Sequence, residues 1–253
     1  MISIHNSENE LAQKPELIQK LGIGQFIYQG ENGDTLPFCQ YIHGADKPGK
    51  FILVYYFHGA GSRGDDNFLQ VRIGAPPLAS YCERHNLKAI VIMPQCRENC
   101  KWVDVPWESE SHTLPPEPSH HMKLALGLLD AKLKEFDIDR ERIYTLGMSM
   151  GGYAVFDMVS RRPELFAAAS MCGGGDTAQA PNLRNTAFYL IHGDEDSAVP
   201  VVRSRNMAKA LRDAGNPHVV YHELAGVNHN VWDPFFADDE GLDFLFAQKR
   251  AIR

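Results

Sequence analysis

Two kinds of segment alternate along most of this chain. Residues 51–57, 89–93, 143–146, 167–171, 187–191 and 219–224 are short apolar runs, most of them carrying β-branched or aromatic side chains. Apolar runs without alternation suit strands buried on both faces, as in a parallel sheet. Residues 78–85, 122–136, 152–161 and 202–214 lie between them with helical spacing of apolar positions, and 234–248 closes the chain in the same way. Asp233 before Pro234 suits the start of that last helix, because a carboxylate can cap open N–H groups and proline fits a first turn. Upstream, residues 25–42 read as a hairpin around the turn-forming cluster Glu31-Asn32-Gly33-Asp34. The pattern predicts an α/β fold: a mostly parallel, doubly wound sheet with an antiparallel N-terminal hairpin.

One connection is unusually long. Residues 94–121 hold five prolines and both Trp102 and Trp107, and match neither strand nor helix. A loop of that length in a compact domain tends to be functional or disordered, and leaving the end of a strand it should overhang the edge where open α/β sheets bind ligands. About fifteen residues separate 167–171 from 187–191, too few for a large inserted lid domain. No boundary divides residues 1–253, which are expected to form one domain, with 1–24 set apart as an N-terminal extension.

Composition narrows the function classes. Hydrophobic residues at 44% and charged residues at 23% are ordinary globular values, so a sizeable core is expected and a disordered chain is excluded. The 32 acidic against 25 basic residues give a net charge of −7, and no basic run is present. Nucleic acid and anionic membrane are therefore not expected partners. The N-terminal twenty residues lack the apolar core of a signal peptide, and no long uncharged apolar run exists, which predicts a cytoplasmic protein. Five cysteines, Cys39, Cys82, Cys96, Cys100 and Cys172, are expected as free thiols, with a local Cys96–Cys100 bridge left open by their spacing.

The chemistry is concentrated in four segments. Gly147-Met148-Ser149-Met150-Gly151 follows a strand candidate and opens a helix candidate. In a sharp strand-to-helix turn, larger side chains two residues either side of the serine would strike neighbouring backbone, so glycine is favoured. Such a turn lifts the Ser149 hydroxyl clear of the sheet and places the Met150 N–H at a helix start, where it can hold an oxyanion. A bare Gly-x-Ser-x-Gly also occurs as a simple glycine turn; its position between strand and helix is what gives it meaning. An alcohol needs a base, and in this arrangement the acid and the histidine come later in the chain. His229 follows the last strand candidate. Asp194, Glu195 and Asp196 leave the preceding one and are all reasonable acids on spacing alone. His58-Gly59-Ala60-Gly61 leaves an earlier strand, and Ala60 or Gly61 can supply a second oxyanion N–H. His58 and His192 stand beside glycines at strand ends, where an imidazole can simply satisfy backbone groups. His120-His121 lacks the spacing of a metal site and reads as the beginning of a helix.

Together these segments resemble the α/β-hydrolase superfamily, and within it the carboxylesterase and predicted-peptidase branch that includes feruloyl and acetyl-xylan esterase-like and polyhydroxybutyrate depolymerase-like proteins. The branch pattern His-Gly-x-x-Asp-x-x-Val-Pro matches His192-Gly193-Asp194-Glu195-Asp196-Ser197-Ala198-Val199-Pro200, and that resemblance selects Asp196 as the acid. His58-Gly59-Ala60-Gly61-Ser62-Arg63-Gly64-Asp65-Asp66-Asn67 resembles the branch's oxyanion segment, with Ser62 where glutamate is common. Pro94-Gln95-Cys96 followed by Trp102 resembles a segment bordering the cleft, which makes Trp102 and His58 candidate substrate contacts, with Trp107 behind them.

The resemblance implies a serine carboxylesterase that needs no metal or other cofactor and forms an acyl-enzyme on Ser149. Its partner would be a small-molecule or polysaccharide-linked ester, with short or aromatic acyl groups favoured by the missing lid, acting as a monomer or homodimer. A peptidase or an acyltransferase with the same triad, and a noncatalytic binding protein on a hydrolase scaffold, are the alternatives.

Overall fold

The computed structural model describes residues 14–250. Its centre is an eight-stranded sheet in the order β1-β2-β4-β3-β5-β6-β7-β8. The strands are β1 (Gly24–Gln29), β2 (Thr35–His43), β3 (Phe51–Phe57), β4 (Ala89–Pro94), β5 (Ile138–Met148), β6 (Ala167–Met171), β7 (Phe188–Gly193) and β8 (Val219–Leu224). β1 pairs antiparallel with β2, and β2 antiparallel with β4. Every later pairing is parallel. The doubly wound sheet with an antiparallel hairpin expected from the apolar pattern is therefore present. Helices α1 (Lys14–Leu21), α2 (Ala75–Arg84), α3 (His120–Glu135), α4 (Met150–Arg161), α5 (Val202–Asp213), α6 (Trp232–Ala237) and α7 (Glu240–Ala247) accompany it.

The sheet divides the core into two layers. On one face, Leu53, Tyr55 and Phe57 of β3 pack with Leu128 of α3, Val155 of α4 and Leu211 of α5. On the other, Val54 and Tyr56 of the same strand pack with Leu78 of α2 and Leu245 of α7. Alternate residues of β3 thus enter opposite cores, which is why its sequence is apolar at every position.

Residues 1–13 of the expected extension lie outside the described residues; in the rest of it, Leu17, Ile18 and Leu21 of α1 pack against the second core layer. Two expectations need correction. β5 begins five residues earlier than its apolar run: Ile138 pairs with Phe51 of β3, the register then shifts across Asp139 to Arg142, and pairing resumes with Ile143 opposite Leu53. The closing helix is two helices. Asp238 is extended and its carboxylate accepts from the Glu240 N–H, starting a new helix there. Asp233 lies inside the first turn of α6, and Asn230 accepts from its N–H instead.

Residues 95–119 carry no helix or strand, yet are tied down from several elements. Ser119 caps α3 by accepting from Met122 N and donates to the Trp102 carbonyl at 2.6 Å. Tyr153 of α4 donates to the Trp107 carbonyl, and Arg161 to that of Pro115. Buried Arg203 of α5 donates to the Pro106 carbonyl at 2.6 Å and lies 2.8 Å from His112 Nδ1. The Asp176 carboxylate accepts from Leu114 N.

Candidate active site

Ser149 sits between β5 and α4 with φ 53° and ψ −120°, a strained conformation for a residue with a side chain. The surrounding glycines make that turn feasible. A Cβ on Gly147 would lie 2.5 Å from the Gly151 carbonyl oxygen, and one on Gly151 only 2.1 Å from that of Phe57. Both clashes are with backbone, so no side-chain rotation relieves them. The turn is held by Ser149 N donating to Met171 O at 2.8 Å.

The candidate base and acid lie in the loops that follow β8 and β7. His229 Nε2 is 2.8 Å from Ser149 Oγ, and His229 Nδ1 is 2.8 Å from Asp196 Oδ2. The acid loop and the histidine loop are zipped together. Asp194 Oδ1 accepts from Gly226 N, Glu195 N donates to Val227 O, and Asn228 Oδ1 accepts from both Ser197 N and Ser197 Oγ. This separates three neighbouring carboxylates that spacing could not: Asp196 faces His229, Asp194 staples the loop, and Glu195 is exposed. The zipper depends on Gly193, where a Cβ would lie 2.1 Å from Val227 O and 2.4 Å from Asn228 O. Gly193→Ala should displace the histidine loop, costing about 1–3 kcal/mol of stability for overpacking and lowering kcat more than KM. Chemical denaturation and steady-state kinetics on a short ester would check both.

The Asp196 carboxylate is wholly buried, whereas the His229 side chain keeps 24% of its surface exposed. Burial alone would raise the Asp196 pKa, but hydrogen bonds from His192 and His229 and from the Val199 backbone outweigh it and hold the carboxyl well below the usual carboxylate range. An ionised acid, a histidine whose Nδ1–H donates to it and a serine whose hydroxyl can donate to Nε2 form a chain along which a proton can move.

Ala60, Gly61 and Ser62 form a one-turn 3-10 helix directly after β3. This segment abuts Ser149: a Cβ on Gly59 would be 3.5 Å from Ser149 Cβ. The first N–H groups of a helical turn lack acceptors within it, so Ala60, Gly61 and, at the start of α4, Met150 remain the candidate oxyanion donors. The polar residues downstream are framework. Arg63 donates to the carbonyls of Ala60 and Cys100, and Asp66 accepts from the N–H groups of Phe68 and Leu69. Gln95 Oε1 accepts from Asn67 N.

Trp102 and His58 are corrected as substrate contacts. Trp102 has no exposed surface; it packs edge-on against Phe57 and His58 and donates from Nε1 to His58 O at 3.3 Å. His58 is buried too, with Nδ1 2.7 Å from Gly59 O and Nε2 accepting from Cys96 N. Burial lowers its pKa to about 4, so it is a neutral staple between the oxyanion segment and the long connection. A large aromatic residue is the means of anchoring such a loop, because burying one offsets much ordering entropy. Trp107 is half-buried, packed against the first core layer, with Lys101 Nζ 4.6 Å from its ring centroid.

All five cysteines are free, including Cys96 and Cys100. Among the described residues, one group of potential metal ligands, Cys172, Asp196 and His229, has atoms within 4.8 Å of one another. Two of the three already share a hydrogen bond, and the Cys172 thiol is pushed up by burial and then by the Asp196 charge, so it stays protonated. His120 and His121 open α3, as expected. No described helix is long and apolar enough to cross a membrane. His192, read from the sequence as satisfying backbone groups, reaches the Val199 carbonyl and in addition Asp196; its spacing four residues before that acid was the available signal.

Comparison with known proteins places these features in a family. The profile of the phospholipase/carboxylesterase family matches residues 39–240. A thermostable esterase of known structure is 32% identical with a TM-score of 0.83, matched over 92% of this chain and 64% of its own. The feruloyl esterase module from Clostridium thermocellum has a TM-score of 0.63 over 91% of this chain and 90% of its own, at 15% identity, which speaks for the fold alone. The esterase LipQ of Mycobacterium tuberculosis is 39% identical over 67 residues, 26% of this chain and 14% of that protein. This chain thus spans 64% of the thermostable esterase, and its match with LipQ covers a still smaller share. With its mixed sheet and strand-to-helix serine turn, the chain belongs to the phospholipase/carboxylesterase family of α/β-hydrolases.

Proposed function

We propose that the protein is a serine carboxylesterase acting on esters with short or aromatic acyl groups. The observation that carries the reading is the unbroken hydrogen-bonded chain from Ser149 Oγ through His229 to Asp196 Oδ2. Ser149 attacks the ester carbonyl as His229 Nε2 takes its proton, and the oxygen that becomes negative is held by the N–H of Met150 with that of Ala60 or Gly61. His229 then returns the proton to the leaving alcohol. Water, deprotonated by the same imidazole, releases the acid from the acyl-enzyme. Asp196 keeps Nδ1 protonated and stabilises the imidazolium. These steps use side chains and backbone alone.

The active-site edge is bordered by a tethered loop and lacks an inserted lid among the described residues, which suits small or polymer-linked substrates better than long lipid chains. Relatives described as feruloyl and acetyl xylan esterases fit that class, and a polysaccharide-linked ester is the corresponding partner. Trp107 replaces Trp102 as the aromatic candidate for an acyl-group contact. Hydrolysis of p-nitrophenyl acetate, p-nitrophenyl palmitate, methyl ferulate and a peptide anilide tests the reading. Acetate and ferulate turnover far above palmitate and anilide supports it; anilide cleavage matching the esters, or no ester turnover with no fluorophosphonate labelling of Ser149, overturns it. Trp107→Ala should raise KM for methyl ferulate about fivefold, the worth of roughly 1 kcal/mol of aromatic contact, and leave that for the acetate ester nearly unchanged.

A further inference from the structure

The acid beside His229 carries a second imidazole. His192, at the end of β7, is fully buried, and its Nε2 lies 3.0 Å from Asp196 Oδ2, the oxygen that His229 Nδ1 also reaches. Nε2 is also 3.1 Å from Val199 O. An ionised carboxylate oxygen and a carbonyl oxygen only accept, so the hydrogen sits on Nε2 and His192 is the donor. On the far side, Ser204 Oγ of α5 lies 2.7 Å from His192 Nδ1 and 3.0 Å from Gly173 O, two acceptors between which its one hydrogen is shared. Asp196 Oδ1 accepts from Ala198 N and Val199 N, both at 2.8 Å. Four N–H groups therefore surround the carboxylate, two on each oxygen, and it has no free rotation about its own bond.

We propose that His192 is a positioning residue for this reaction, a buried donor that keeps the Asp196 carboxylate aimed and ionised so that the proton of His229 stays on the imidazole. The proposal rests on the triad reading above. A residue of similar size could fill the space, but an apolar one would give Asp196 one donor fewer on its working oxygen. Burying an imidazole is tolerable only when both nitrogens are bonded, as here, which ties this position to the carboxylate and not to packing alone. The other titratable or charged groups around the pair are Cys172 at the end of β6, Tyr153 of α4, and Glu223 of β8, itself held by Arg205 of α5.

Without the His192 N–H the carboxylate becomes more basic, and the proton it shares with His229 is held more tightly. A larger fraction of the pair is then protonated at a given pH, and the acidic limb of the kcat/KM profile moves to higher pH. His192 lies behind Asp196 and reaches no substrate, so KM should not change.

The experiment compares wild type, His192→Phe, His192→Asn and Ser204→Ala on p-nitrophenyl acetate across the pH range, with thermal unfolding of each. Fluorophosphonate labelling of Ser149 in the wild type comes first; an unlabelled wild type overturns the triad reading and this proposal with it. With labelling established, His192→Phe is expected to lower kcat about 10- to 100-fold, the loss of one hydrogen bond to a charged group. Its acidic limb should move up and its KM hold. His192→Asn should recover part of both effects, and Ser204→Ala should move the limb in the same direction by less. An unmoved limb with no recovery in His192→Asn reduces His192 to packing and overturns the proposal, as does unchanged kcat. If His192→Phe does not fold, Ser204→Ala decides: an unmoved limb overturns it.

Discussion

Ser149→Ala is expected to lower kcat for p-nitrophenyl acetate by several orders of magnitude, on the order of 10,000-fold or more, and to abolish fluorophosphonate labelling. The fold should survive. The strain at this position belongs to the backbone, at φ 53°, and is held by the Met171 carbonyl and by glycines that exclude other turns. Alanine meets nearly the same strain as serine, so circular dichroism and unfolding should change little. What disappears is the oxygen 2.8 Å from His229 Nε2. Any residual rate would come from the oxyanion donors and the binding surface. Full activity in a folded Ser149→Ala variant would leave the geometry without its assigned chemistry.

Asp196→Asn should be nearly as severe, with kcat falling by about 10,000-fold at neutral pH. The reason lies in how the carboxylate is surrounded. Its Oδ1 accepts from two backbone N–H groups, so the amide oxygen of an asparagine is forced to that side. The amide nitrogen then points at the nitrogens of His192 and His229, where only an acceptor fits. His229 is driven to the tautomer with its proton on Nε2, and it can no longer take one from Ser149. The kcat loss should ease as pH rises, when hydroxide can stand in for the missing base, whereas simple unfolding would not ease. Equal kcat in variant and wild type would remove Asp196 from the proton relay.

The folding pattern was readable because two-sided burial leaves a direct mark: β3, β4 and β7 are apolar at nearly every position, and their bounds were recovered within a residue or two. Where burial was not the cause, the sequence was silent. The first half of β5 contains Asp139-Arg140-Glu141-Arg142, charged residues at a register shift between the pairings of Ile138 and Ile143 with β3. The same division runs through the site. Ser149 and His229 were legible because steric glycines and chain order constrain them locally, and Asp196 became distinguishable from Asp194 and Glu195 only through a family pattern.

Trp102 shows the limit most plainly. Its type and loop position suit an open aromatic platform and a buried anchor equally well, and only the packing of Phe57 and His58 around it decides for the anchor. His192 carries more than its neighbouring glycine suggested: Nε2 meets the Val199 carbonyl as a backbone partner, and the return of the chain through α5 and the acid loop adds a hydroxyl on one nitrogen and a carboxylate on the other. By itself the sequence determined the sheet and the serine turn, because each is written in residues close along the chain. Which carboxylate faces His229 and which tryptophan is the buried anchor were decided by tertiary structure, because each depends on contacts between segments tens of residues apart.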